Sequence, residues 1–179
     1  TPLGTTGAGT TVSAGGALDL NGFTLGTAEA LTLNGTGVRS GGALTNTGAA
    51  ATWSGTVALG AATSIGGTGN ILLTGVVSGA NPLTKVGPNT LTLQGANTNS
   101  STVTILGGGL TLSGASGALT TATGYTLRSG GTLTLDNSTN NNTNRLASVA
   151  FGANGGNVVF THSGAAAINY AETTGTLTL

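Results

Sequence analysis

Thr90-Leu91-Thr92-Leu93-Gln94-Gly95 decides how this chain is read. Two leucines flank one threonine, and a polar residue with a glycine closes the phrase. Alternation with period two marks a strand with one buried face, and the glycine marks a corner. The phrase returns as Ala17-Leu18-Asp19-Leu20-Asn21-Gly22, Ala30-Leu31-Thr32-Leu33-Asn34-Gly35, Gly109-Leu110-Thr111-Leu112-Ser113-Gly114 and Thr132-Leu133-Thr134-Leu135-Asp136-Asn137. Thr176-Leu177-Thr178-Leu179 carries it once more. A strand-and-turn phrase repeated this often points to a solenoid, whose units bury their apolar sides only against neighbouring units.

Working outward, apolar residues of period two also sit at Leu44, Val57/Leu59, Ile71/Leu73, Leu83, Val103/Ile105, Tyr125/Leu127, Val149/Phe151, Val158/Phe160 and Ile168/Tyr170. The first pairs begin 13 residues apart, at 18, 31, 44 and 57. Every second pair gives 18, 44, 71, 91, 110, 133, 158 and 177, with steps of 19 to 27 residues. Such steps suit one coil of a parallel β-helix with two or three short strands. Leucines point inward and threonines outward, and coils stack at about 4.8 Å. The expected fold is all-β, a single-stranded parallel β-helix (β-solenoid), right-handed, spanning 1–179 as one domain. About seven turns would make a rod of about 35 Å. A β-sandwich also yields short strands with frequent turns. The recurrence of the phrase itself, and not only of its spacing, favours the solenoid.

Composition excludes several classes. Only 4% of the 179 residues are charged and 3% aromatic, the net charge is zero, and 34 residues are glycine. Helix-forming charged residues are almost absent, so long helices are not expected. The glycines follow no Gly-X-Y period, which excludes collagen. Arg39, Lys85, Arg128 and Arg145 are scattered, so no basic stripe for nucleic acid exists. No apolar run reaches the roughly 18 residues of a membrane span. Cysteine is absent, which removes disulfides and thiolate chemistry. Thr1 opens no signal peptide, as expected of a mature chain or of a segment cut from a larger one.

The stretch Asn81-Pro82-Leu83-Thr84-Lys85-Val86-Gly87-Pro88-Asn89-Thr90-Leu91-Thr92-Leu93-Gln94-Gly95-Ala96-Asn97-Thr98 resembles the passenger-associated β-strand repeat of bacterial autotransporters. The likeness continues through Ser101-Thr102-Val103-Thr104-Ile105 and Gly108-Gly109-Leu110-Thr111-Leu112 and covers about 35 residues. Pro88 stands where that pattern has glycine or another small residue. The stretch Gly130 to Leu146 is similar to repeats of giant bacterial surface β-helix proteins. The resemblance implies a parallel β-helix outside the cell or on its surface, serving as stalk, adhesin or fibre. It implies no ligand.

Catalytic chemistry is hard to assemble from these residues. The carboxylates are Asp19, Glu29, Asp136 and Glu172, each in a different coil and each expected on a solvated corner or outward face. His162 is the one histidine, with no recognisable nucleophile or orienting acid. No Gly-x-Ser-x-Gly elbow occurs, and too few His, Cys, Asp or Glu residues exist for a metal centre. No catalytic, cofactor or metal residue is assigned, and no cofactor is expected. Trp53 is read as core filler.

Three functions therefore compete. The first is a structural extracellular module forming a filament, stalk or adhesin segment, with self as partner, either end to end or within a longer chain. Its candidate stacking ends are Thr11 and Val12 on one side and Leu177, Thr178 and Leu179 on the other. The second is surface recognition, of cell-surface or matrix glycans or, through threonine ladders, of ice. Its candidate contact loop is the polar stretch from Asp136, with Asn137, Asn140, Asn141, Asn142 and Asn144, although such a stretch also reads as a plain long corner. The third is a polysaccharide-cleaving β-helix enzyme, which the scarcity of carboxylates disfavours.

Overall fold

A computed structural model describes Leu3, residues 7–163 and residues 172–178. Strands dominate, and the one helical element among the described residues is a 3-10 turn over Val38–Ser40. Every pair of named strands is parallel. The chain coils about seven times, and each residue pairs with one roughly 20 to 26 positions further on. Parallel pairing without intervening helices is what a coil of short strands and tight corners produces, because each strand meets its counterpart one turn later.

A typical coil has three faces. One face stacks Ala51–Trp53, Ile71–Leu73, Thr90–Leu93, Gly108–Leu112, Gly131–Asn137 and Asn157–His162 as a six-stranded sheet. Its inward ladder runs Ala51, Ile71, Leu91, Leu110, Leu133, Val158. A second face runs through Leu83–Lys85, Thr102–Ile105, Gly124–Arg128, Phe151–Asn154 and Leu177–Thr178. A third is short, carrying Val77–Gly79 and Thr98–Asn99. The long strand Val57–Gly67 turns a corner and joins the second and third faces into one 12-stranded sheet.

The inward-and-outward alternation expected from the phrase holds, as in Ile71–Leu73 and Leu83–Lys85, whose outer positions are buried and middle ones half-buried, and in Thr90–Leu93, where Leu91 and Leu93 are buried and the threonines half-buried. The single column 18, 44, 71 … 158, 177 does not hold. Leu44 stacks on Ile65, not on Ile71, and Leu177 stacks on Phe151, not on Val158. The reason is chemical. Ile65 has Thr63 and Gly67 two residues to either side and so forms no apolar pair, and the third face turns Asn97 and Asn99 inward, so a count of apolar pairs does not follow one face from coil to coil. Likewise Phe151 pairs with Ala153 as the inward set, and Val149 packs from the side. Ile168, Tyr170 and Leu179 lie outside the described residues.

The core is a file of side chains along the axis, with Leu33, Leu44, Trp53, Ile65, Leu73, Leu93, Leu112 and Leu127 fully buried. Each such side chain contributes about 1.5–3 kcal/mol relative to exposure. Trp53 is core filler as expected, and its Nε1 donates to Glu29 O at 3.0 Å. Corners are narrow. A Cβ at Gly95 would stand 2.6 Å from Gly75 O, and Gly75 in turn crowds Gly55 in the preceding coil. Only glycine lets these backbones approach so closely.

Polar residues of the repeat complete the interior. Asn97 Oδ1 accepts from Val77 N at 2.9 Å, and its Nδ2 donates to Gly95 O and Ala118 O at 2.8 and 2.9 Å. One amide thus links three successive coils. Tyr125 does similar work one coil on, donating to Leu119 O at 2.6 Å and accepting from Ala147 N at 2.9 Å. Burial pushes its phenol up to about 12. Lys85 is fully buried and donates to Val86 O, Gly87 O and Gly107 O at 2.6, 3.0 and 3.3 Å, closing a corner from within.

Candidate functional site

The polar stretch singled out in the sequence is built around Arg145. The strand Gly131–Asn137 alternates so that Gly131, Leu133, Leu135 and Asn137 face the interior. Asn137, an amide at the end of an apolar file, needs polar partners there. Its Oδ1 accepts from Arg145 Nε at 2.8 Å and from Asn142 N at 3.2 Å, and its Nδ2 donates to Asn142 O at 3.1 Å. The guanidinium is fully buried. Its Nη1 donates to Gly117 O at 2.5 Å, and its Nη2 reaches Asp136 O at 2.8 Å, Gly114 O at 3.0 Å and Asn140 O at 3.2 Å. The backbone N–H groups of Arg145 and Leu146 point the other way, into the Glu172 carboxylate at 2.8 to 3.2 Å.

This arrangement sorts the candidate contact residues. Asn137 is buried and serves the loop's own frame. Asn142 is half-buried and bonds Ala115 O of the previous coil at 3.2 Å. Asn140, Asn141 and Asn144 are exposed and line the outer edge of the loop. The anchor, Arg145, read as one of four scattered charges, was missed. Its signal in the sequence was its place directly after an asparagine-rich corner, where carbonyls without strand partners accumulate.

The carboxylates are dispersed, but not all are solvated. Glu29 is fully buried, which overturns its expected place on a corner or outward face. Its Oε1 accepts from Thr10 Oγ1, which sits in the preceding coil beside it. Asp19 lies outside and holds Thr47 of the next coil, accepting from its N at 3.0 Å and its Oγ1 at 2.5 Å, and from Asn21 N at 2.9 Å. Burial raises the proton affinity of Asp19, and these three donors outweigh it, so the pKa falls below 3.8. Asp136 behaves alike. Burial is outweighed by Ser138, Thr161 and the Arg145 charge. Among the described residues no group of three or more His, Cys, Asp or Glu is placed to hold a metal ion.

At the edges of the rod, Thr10–Val12 pairs, among the described residues, with Leu31–Leu33 alone, with Thr11 exposed and Val12 buried. At the other edge Leu177 is 52% exposed, Phe160 56% and Val159 38%. A groove of about 200 Å³ there is lined by Leu146, Phe151, Val158, Phe160 and Leu177, with Glu172 and Thr174 beside them. A smaller one near the first coil, of about 130 Å³, is lined by Leu3, Leu18, Leu20, Phe23 and Leu25, with Asp19 among them.

Comparison of the chain with models of protein families, with curated proteins and with solved structures finds no match. No helix among the described residues is long and apolar enough to cross a membrane.

Proposed function

We propose that this chain is a structural segment of an extracellular or bacterial cell-surface filament, stalk or adhesin, continued along its axis by further solenoid coils of the same chain or of a second copy. The observation that carries this reading is the pair of apolar edges. Leu18, Leu20, Phe23 and Leu25 lie at one, and Val158, Phe160 and Leu177 at the other. Apolar side chains exposed at the edge of a solenoid favour being covered by a further coil, because each coil buries its apolar side only against its neighbours. The repeat resemblance supports a place outside the cell.

Sedimentation at rising concentration, with electron microscopy of the same samples, tests it. Rods that lengthen with concentration, and stop lengthening in Phe160→Glu, are expected. Single short rods at every concentration, unchanged by that substitution, would count against association between copies.

A further inference from the structure

On the second face the outward side chains form columns along the axis, and one region of these columns is bare. The first column reads Thr102, Gly124, Ala150, Thr176, and the second reads Thr104, Thr126, Gly152, Thr178. Gly124, Ala150 and Gly152 leave a floor of backbone and one methyl group. Thr102, Thr126, Thr176 and Thr178 stand around it, with Asn154 at one side, and the depression has a volume of about 340 Å³. That lies at the lower end of the range of ligand pockets, about 300–1,000 Å³.

Neither glycine is demanded by the fold. The corner glycines meet neighbouring backbone at distances no Cβ tolerates, as at Gly95. A Cβ at Gly124 would find nothing nearer than Ala150 O at 3.8 Å, and one at Gly152 would touch only the movable Asn154 side chain at 3.3 Å. Gly124 opens a regular strand and Gly152 lies within one, both without positive φ. Glycine weakens a strand, so its presence where threonine would fit removes side chains from the surface at a cost in stability.

The geometry points to this depression as a binding site for a neutral glycan, with a pyranose ring over the floor and its hydroxyls on the threonine rim. No charged side chain lines it, which disfavours acidic sugars, phosphates and charged peptides. The Thr102, Thr126, Thr176 and Thr178 hydroxyls and the Asn154 amide both donate and accept, as a ring of sugar hydroxyls requires. The flat floor receives the C–H face of the ring. Three strand spacings from Thr102 to Thr176 give about 14 Å of length, enough for a short oligosaccharide. This assignment rests on the cell-surface reading above and names the class of ligand for it.

The test is an NMR titration of the whole chain with neutral tetrasaccharides of glucose, mannose, galactose and N-acetylglucosamine, and with tetragalacturonate as the acidic counterpart. A neutral sugar should shift the amide signals of Gly124, Thr126, Gly152 and Thr178. Thr126→Val, which keeps strand propensity, should weaken binding about tenfold, the worth of one hydrogen bond. Gly152→Val, which fills the floor, should abolish it. If Gly152→Val does not fold, Thr126→Val and Thr178→Val decide. No shift with any neutral sugar, equal binding of tetragalacturonate, or binding unaltered by these changes overturns the assignment. Sedimentation of the same samples separates the two claims. Assembly without sugar binding removes only the glycan site, and sugar binding by single rods removes only association between copies.

Discussion

Removing Arg145 is the sharpest perturbation this structure offers. Its side chain serves five acceptors: Asn137 Oδ1 and the carbonyls of Gly114, Gly117, Asp136 and Asn140. In Arg145→Met the aliphatic volume is kept and the donors are lost. Asn140 is exposed and Gly114 half-buried, so their carbonyls can turn to water. Asp136 O is part-buried like Gly114 O, whereas Gly117 and Asn137 are buried, so two acceptors lose their donor where water cannot replace it. At about 1–3 kcal/mol for each unsatisfied group, partly offset because no guanidinium has to be desolvated, the expected loss is about 2–4 kcal/mol. Arg145→Lys discriminates the cause. A lysine retains the charge but places it at one point, so it cannot span acceptors on both sides of the loop, and it should recover less than half of the loss. Urea unfolding followed by circular dichroism gives the stability. Hydrogen exchange gives the location, with protection lost first from residues 137–146 and from Gly117 and Ala118 in the coil below. If Arg145→Met costs less than about 1 kcal/mol, or if Arg145→Lys equals the wild type, the buried fork is not what holds this corner.

Other expectations follow from the same contacts. Leu110→Ala, in the middle of the ladder between Leu91 and Leu133, should cost about 2–5 kcal/mol by urea unfolding, and a loss below about 1 would show that the file of side chains is not tightly packed. Gly95→Ala should destabilise although alanine is small, because Gly75 O stands 2.6 Å from the new Cβ; a variant as stable as the wild type would disprove the close approach. Asp19 and Asp136 both have pKa values lowered below 3.8, so their contribution is complete above that value and is lost as pH falls through the lower folded value. Acid unfolding of Asp19→Asn should therefore be shallower in pH than that of the wild type below pH 3.8, with equal slopes as the adverse result. For Lys85, burial pushes the ammonium down to about 8 from an ordinary 10.5, so between those values the unfolded chain holds a proton that the folded chain has released. Stability should rise with pH in the lower part of that window in the wild type and not in Lys85→Met; towards its upper end the raised Tyr125 phenol adds an opposing fall to both, so the difference between the two chains carries the test, and no gain of the wild type over Lys85→Met would contradict the buried amine.

The period-two phrase made most of the fold legible because the inward file of a solenoid is built from the one property a sequence displays openly, alternation of apolar and polar side chains. It failed where the inward residue was itself polar. Asn97 and Asn99 occupy positions that Val77 and Gly79 mark in the coil before, and at Asn97 the inward amide is tolerated because Val77 N, Gly95 O and Ala118 O meet it. Two of these partners, Val77 and Ala118, lie about 20 residues away, one coil removed, and no local pattern announces them. Lys85 and Arg145 show the same thing for charge. A cation in a stretch of threonine and glycine reads as surface until the corner carbonyls that surround it are placed. The loop of asparagines was visible as a departure from the phrase, yet the sequence did not separate Asn137, turned inward, from Asn140, Asn141 and Asn144, turned outward, because that division depends on where the strand ends. The bare floor at Gly124 and Gly152 was hidden for the opposite reason. Among 34 glycines, two that no corner requires look like all the others until each is tested against the coil beneath it. In a solenoid, then, the repeat reports the frame, and the exceptions to the repeat mark where interior polar chemistry and any binding surface are to be sought.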